Sequence, residues 1–545
     1  MKGRLLLGGW IVFLLLFLGG PLAALFLKCF QNRDGAWVGL DNFAAFAGQS
    51  NLVAAAIHSF TVAAISTVMV LALAFPFAFG LTRTRMPGRG LFRAVAQVPL
   101  LAPSLLPALS LVYLFGNKGL LKGAIMGHEL YGPIGIVMAE VFAGFPQAVL
   151  VLATALSVAD ARLYEAAHSL GAGPWRRFLT ITLPGAQYGI VSAALVVFMG
   201  VLSDFGAPMV LGGHYPVLAT EVFEQVVGLQ DFGMGAVVGM ALLVPVGLAF
   251  LVEKWSASKQ KALLSSRAAI YRPIPIAAVD GGFLAFCGVV ALWLLGIVAM
   301  GAAVSFIAFW PYNLSLTLKN YNFAQFDEAG WGSFWHSLQL AGGVALLGTA
   351  LTFVGAYLCE KLPGHAGLKG WLRLLAMAPL GVPGMVLGLG YVFFFNHPAN
   401  PLNGLYGSMA ILILCSVVHF YSVGHLTAVT ALKQLDGEYE AVSASLKVPL
   451  WRTFGRVTLP LCLPAVLDVA LYLFVNGMTT VSAVVFLYAP STKPASVAIL
   501  NMDESGTVAA AAALCMVIFY SSALIRALHA LASRFLLVRT QGWRA

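Results

Sequence analysis

Asp160-Ala-Arg-Leu-Tyr-Glu165-Ala166-Ala167-His-Ser-Leu-Gly171-Ala-Gly-Pro174-Trp175-Arg-Arg-Phe178-Leu-Thr-Ile181-Thr-Leu183-Pro184 is the longest hydrophilic loop in the first half of the chain. Its residues predict a short helix carrying Glu165, a turn at Gly171 to Gly173, and a second short helix ending at Pro184. Pro174 suits the first turn of that second helix, where no backbone N–H is needed. Such a projecting helical hairpin has the shape to fill a groove on another protein. A second copy runs from Asp436 to Pro460 and keeps Trp451, Arg452, Phe454, Leu459 and Pro460 in frame. It departs elsewhere: Lys447 replaces the glycine, Val457 replaces the isoleucine, and Glu440 stands one position early. A hairpin with a different turn is expected there.

The surroundings of both loops are apolar. Of 545 residues, 60% are hydrophobic and 10% charged, and the mean hydropathy is +0.89. A soluble chain of this size needs far more charge to cover its surface. Spanning a bilayer takes roughly 20 apolar residues per helix, and about twelve such runs are present. They lie near 5–27, 58–81, 94–115, 133–157, 185–205, 233–252, 279–305, 337–358, 374–395, 408–432, 461–487 and 507–530. The first run is long for a secretory signal core and reads as a retained span. The expectation is an all-α integral membrane protein.

Formal charge is +10, from 31 Lys and Arg against 21 Asp and Glu. Basic residues cluster at Lys2 and Arg4, at Arg83, Arg85, Arg89 and Arg93, at Lys254, Lys259, Lys261 and Arg267, and at Arg534, Arg539 and Arg544. With both termini in the cytoplasm, these groups fall on the inner side, following the positive-inside rule. The excess charge therefore reports orientation, not nucleic acid. Six scattered cysteines show no metal-ligand spacing and no disulfide framework.

The two halves of the chain repeat. His58-Ser59 is echoed by His336-Ser337, Pro87-Gly88 by Pro363-Gly364, and Pro99-Leu100 with Pro103 by Pro379-Leu380 with Pro383. Together with the two loops, these anchors recur in order at a nearly constant offset. They define residues 1–253 and 276–545 as two homologous six-helix halves, joined by a polar linker, 254–275. Repeated halves imply a pathway between them.

The first loop resembles the EAA loop of binding-protein-dependent ABC importer permeases. Glu165, Ala166, Ala167, Gly171, Ile181, Leu183 and Pro184 meet its fixed positions, and Trp175 recurs in the second copy. Glu440, Ala441, Leu446, Trp451 and Pro460 occupy the corresponding region of the degenerate copy. The resemblance implies a type I importer permease fold in a bacterial inner membrane, with these loops coupling to a pair of ABC ATPase subunits. It also implies an extracytoplasmic substrate-binding protein as partner. The fused layout resembles ferric-iron and thiamine permeases. Leu202 to Gly213, Val217 to Phe223 and Pro311 to Leu318 most resemble 2-aminoethylphosphonate permeases, which makes that phosphonate the expected solute and ferric iron or thiamine the alternative.

No phosphate-binding Gly-x-x-x-x-Gly-Lys-Ser/Thr motif occurs, so ATP and Mg belong to the partner ATPase and no cofactor is expected on this chain. HExxH, GxSxG and a Cys–His nucleophile pair are missing, which disfavours an enzyme. A secondary transporter built from two repeats would not need matching hairpins. Ionisable groups inside spans are candidates for function. Glu140 lies in span four and Asp204 at the far end of span five, before a Gly206–Pro208 break. Asp204 aligns with Thr480, beside Asn476 and Thr479. Glu140, Asp204, Asn476 and Thr480 are the candidate pathway residues. His419, His425 and Asp468 read as structural.

Overall fold

A computed structural model describes residues 2–32, 35–157, 160–263, 273 and 275–540. Nine helices among them are long and apolar enough to cross a membrane, and three bent helix pairs raise the number to twelve. Only 22% of the most apolar window of the first, Gly3–Lys28, is buried. Leu292 and Leu346 are exposed by 72% and 79%. Surface of this kind is stable only against lipid, and the closed hydrogen bonding of helices is what allows it there. The protein is an all-α, multi-pass membrane protein of two six-helix repeats.

Three expected spans are not straight. Span three is Arg89–Leu101 and Leu105–Phe115 meeting at 101°, and span nine is Ala366–Gly381 and Gly384–Phe395 meeting at 111°. The cause is the X-Pro step. Ala102 (ψ 135°) and Val382 (ψ 113°) are forced into extended backbone by Pro103 and Pro383, which stops the helix. Span eleven, Leu450–Leu461 and Leu463–Thr479, bends by 79° at Cys462. Pro464, which has no counterpart in the first half, withdraws a backbone donor at that point. Span six continues as helix to Leu263, past the expected start of the linker, of which residues 264–272 and 274 lie outside the described residues.

The chain forms two compact units whose boundary is not the repeat boundary. One comprises Ala45–Leu229 and Ala241–Asn320; the other comprises Met1–Ala44, Gln230–Met240 and Tyr321–Ala545. In the former, Ser50–Arg83, Pro133–Ser157 and Leu183–Ser203 pack together, and span seven, Ala277–Phe306, lies on span three. In the latter, Gly332–Glu360, Met409–Lys433 and Leu463–Thr479 pack together, and span one lies on span nine. The first span of each repeat is thus packed in the unit that holds the other repeat's core. Small residues permit the contact. A Cβ on Gly390 would stand 2.7 Å from the Pro21 carbonyl oxygen, and one on Gly301 would stand 2.8 Å from Leu106.

The His-Ser pair has a structural explanation in each unit. His58 Nδ1 lies 3.0 Å from the Pro216 carbonyl, while Ser59 Oγ accepts a 2.8 Å bond from Leu218 N–H, at the start of the helix Leu218–Phe223. His336 Nδ1 lies 3.1 Å from the Lys493 carbonyl, and Ser337 Oγ accepts from Ala495 N–H at 2.8 Å. Each serine satisfies an orphan donor at a helix start. Replacing Ser59 or Ser337 by Ala leaves a buried N–H unpaired and should destabilise the chain by about 1–3 kcal/mol; thermal unfolding of the purified protein in detergent checks it.

Candidate functional site

The first hairpin opens with Asp160, whose side chain accepts from Arg162 N–H (3.1 Å) and caps the helix Ala161–Ser169. The turn is set by Gly171 at φ +73°, with Ala172 N–H donating to the Ala167 carbonyl. Glu165 and Ala166 face outward, as do Leu170 and Trp175, exposed by 86% and 72%. Ala167 is half-buried. Phe178 turns inward, its ring 6.1 and 6.2 Å from those of Phe75 and Phe79 on span two. The Tyr164 hydroxyl meets Thr182 Oγ1 at 2.9 Å.

The second helix of the hairpin does not end at Pro184, as the sequence led us to expect. It runs on without a break as Pro174–Ser203 and becomes span five. A π turn over Phe178–Thr182 makes this possible, with Leu183 N–H donating to the Phe178 carbonyl. Pro184 has no N–H to give, and the wider turn accommodates that loss without a kink. The same π turn occurs at Phe454–Thr458, directly before Leu459-Pro460.

The second hairpin repeats the first more closely than its residues suggested. Lys447 takes the glycine's left-handed conformation at φ +55°, and Val448 N–H donates to the Ser443 carbonyl as Ala172 does to Ala167. The turn is the same turn. Asp436 accepts from Glu438 N–H at 3.0 Å, matching the Asp160 cap. Phe454 packs on Phe353 and Tyr357, the positions that match Phe75 and Phe79. Ala441 is exposed, and Leu446 and Trp451 project from the tip, exposed by 71% and 69%. Glu440 differs from Glu165: it is held by Lys361 at 3.2 Å.

The four pathway candidates fall in two places. Glu140, 3% exposed, and Asp204 lie in one unit with their carboxyl groups close together. Asp204 ends span five and accepts from Ala207 N–H at 2.9 Å, across the expected helix break. Two adjacent carboxylates repel, so a proton or a cation between them relieves the contact. In the other unit, Thr480 ends the helix Leu463–Thr479 in the same way, donating its N–H to Asn476. Asn476 Nδ2 itself donates to the Tyr472 carbonyl. The position matching Glu140 is Ser416, so the carboxyl pair belongs to the first repeat alone. Asp468 contacts His529 Nε2 at 3.1 Å, and His425 stacks on Tyr421. Among the described residues, no three His, Cys, Asp or Glu converge as metal ligands.

Residues 72–308 and 354–536 match the model of the binding-protein-dependent transport system inner membrane component, two matches in one chain. The chain belongs to that family and is an ABC transporter permease of the ferric, thiamine and 2-aminoethylphosphonate subgroup. It is similar to the ferric transport system permease protein FbpB of Actinobacillus pleuropneumoniae, 28% identical over 513 residues, 91% of this chain and 73% of that one. An Fe(3+)-transport system permease of Haemophilus influenzae is 24% identical over 514 residues, 94% of this chain and 96% of its own length. A molybdenum transport system permease of Azotobacter vinelandii is 31% identical over 176 residues, 31% of this chain and 78% of that one.

The sequence displayed Phe178 and Phe454 only as markers of the repeat. Their anchoring role becomes visible once the matching aromatic positions of spans two and eight are known. The left-handed turn gives opposite expectations for the two hairpins. Gly171→Ala should loosen the first by about 1 kcal/mol, and Lys447→Gly should tighten the second by a similar amount. Protease protection of the two loops in the purified chain reads both changes.

Proposed function

We propose that the chain is the membrane subunit of an importer driven by a separate ATPase, and that the two hairpins are its coupling elements. The observation that carries this reading is the pair of hairpins with exposed apolar tips, Leu170 with Trp175 and Leu446 with Trp451, whose second helices run toward spans five and eleven. Tryptophan on a rigid, protruding element is the residue type that anchors protein interfaces. Closure of an ATPase dimer around the tips would swing the hairpins, and the continuous helix Pro174–Ser203 would carry that motion to Asp204. A loaded binding protein would release its solute to the outward-facing state, and ATP hydrolysis would reset the inward-facing one. The hairpins and both termini are assigned to the cytoplasmic face of a bacterial inner membrane, in accord with the distribution of Lys and Arg.

The solute we assign is ferric iron. Relatives named for ferric transport align over nine-tenths of the chain and favour this alternative over the 2-aminoethylphosphonate suggested by loop texture. The Glu140–Asp204 pair offers hard oxygen donors of the kind ferric iron prefers, suited to brief contact during passage. Uptake of radiolabelled ferric iron by iron-starved cells should require the gene, while growth on 2-aminoethylphosphonate as phosphorus source should not. The reverse pattern would overturn the assignment. For the coupling role, Glu165→Lys and Trp175→Ala should each lower uptake by about tenfold or more, the loss expected of an interface anchor, with normal membrane insertion. Undiminished uptake in both variants would refute it.

A further inference from the structure

Each hairpin has a covalent root in its second helix, but the first helix, which bears the outward Glu165 in one repeat and Glu440 in the other, needs another attachment. In the first repeat that attachment centres on Arg83, the last residue of span two, which is 8% exposed. Its Nη2 donates to the Leu156 carbonyl at the end of span four (2.7 Å), and its guanidinium lies 5.0 Å from the centre of the Tyr164 ring. In the second repeat it centres on Lys361, which follows the last residue of span eight. Lys361 Nζ donates to the Leu435 carbonyl just beyond span ten (3.3 Å) and to Glu440 Oε2 (3.2 Å); the two side chains are 9% and 18% exposed.

The positions correspond. Arg83 and Lys361 stand equally far from the His-Ser pairs of their spans, and Tyr164 and Glu440 stand equally far from the shared Trp and Pro of their hairpins. The chemistry does not correspond: one joint is a cation on an aromatic face, the other an ion pair. The same three elements are therefore tied by a cation in both repeats, with different partners. A cation buried at this depth keeps its contacts because leaving them would strand a desolvated charge.

We propose that Arg83 and Lys361 are positioning residues that clamp the first helix of each hairpin to the ends of its neighbouring spans, so that a push on the tip moves the span bundle instead of bending the loop. The proposal rests on the coupling reading. It also explains the displaced glutamate of the second loop, since Glu440 takes the place of Tyr164 in the clamp.

The test is hydrogen–deuterium exchange of the full chain in detergent, read over residues 161–169 and 438–445. Arg83→Ala should raise exchange in the first segment by about tenfold, and Glu440→Gln should do so in the second, with the spans unchanged. Arg83→Lys combined with Tyr164→Glu rebuilds the second repeat's joint in the first and should restore slow exchange. In proteoliposomes holding the complex with its ATPase, Arg83→Ala should lower solute taken up per ATP hydrolysed, and the double variant should recover it. Unchanged exchange in Arg83→Ala and Glu440→Gln overturns the clamp. Faster exchange with unchanged uptake per ATP overturns its positioning role. Failure of the coupling reading is distinguishable, because it shows in Glu165→Lys and Trp175→Ala without altering the exchange result.

Discussion

The structure turns on a helix that declines to stop. Pro184 and Pro460 would each end or kink an ordinary helix, yet the π turns over Phe178–Thr182 and Phe454–Thr458 absorb the missing donor and carry the chain onward. In the first repeat the hairpin and span five are one rod from Pro174 to Ser203. The rod is fixed where it leaves the hairpin, because Phe178 is seated between Phe75 and Phe79. An exposed tip at one end and Asp204 at the other make it a mechanical connection between the protein's surface and its interior.

The second repeat preserves this design with different residues and less stiffness. Its turn keeps the left-handed conformation although a lysine occupies it, its Phe454 keeps the aromatic seat, and its proline keeps the π turn. Pro464 then bends the rod at Cys462, so the motion of this hairpin and that of Leu463–Thr479 are less directly linked. The interior end differs as well, with Thr480 and Ser416 where the first repeat has Asp204 and Glu140. The halves share a scaffold and divide its chemistry unequally.

Much of this was legible in the sequence because the membrane simplifies the pattern: apolar length marks a span, and Trp, Arg, His and Pro are too rare within spans to repeat by chance. The hairpins, the Asp204 break and the two-repeat layout followed from such residues. The bends of spans three, nine and eleven did not, because hydropathy counts apolar residues without sensing direction, even where Pro103 and Pro383 stood in plain view. The turn at Lys447 was misread for a related reason. A lysine disfavours a positive φ by about 1 kcal/mol, and the hydrogen bonds around it, together with the seated Phe454, impose one. The roles of Arg83 and Lys361 were hidden because their partners, Tyr164 and Glu440, are distant in the chain and chemically unlike.

The account stands on force delivered by a soluble motor. Reconstitution into vesicles tests it most directly, comparing an imposed proton or sodium gradient with ATP supplied to an associated ATPase and a loaded binding protein outside. Iron accumulation should appear only with the ATPase, ATP and the binding protein together. Accumulation driven by an ion gradient across vesicles containing this chain alone would contradict the account.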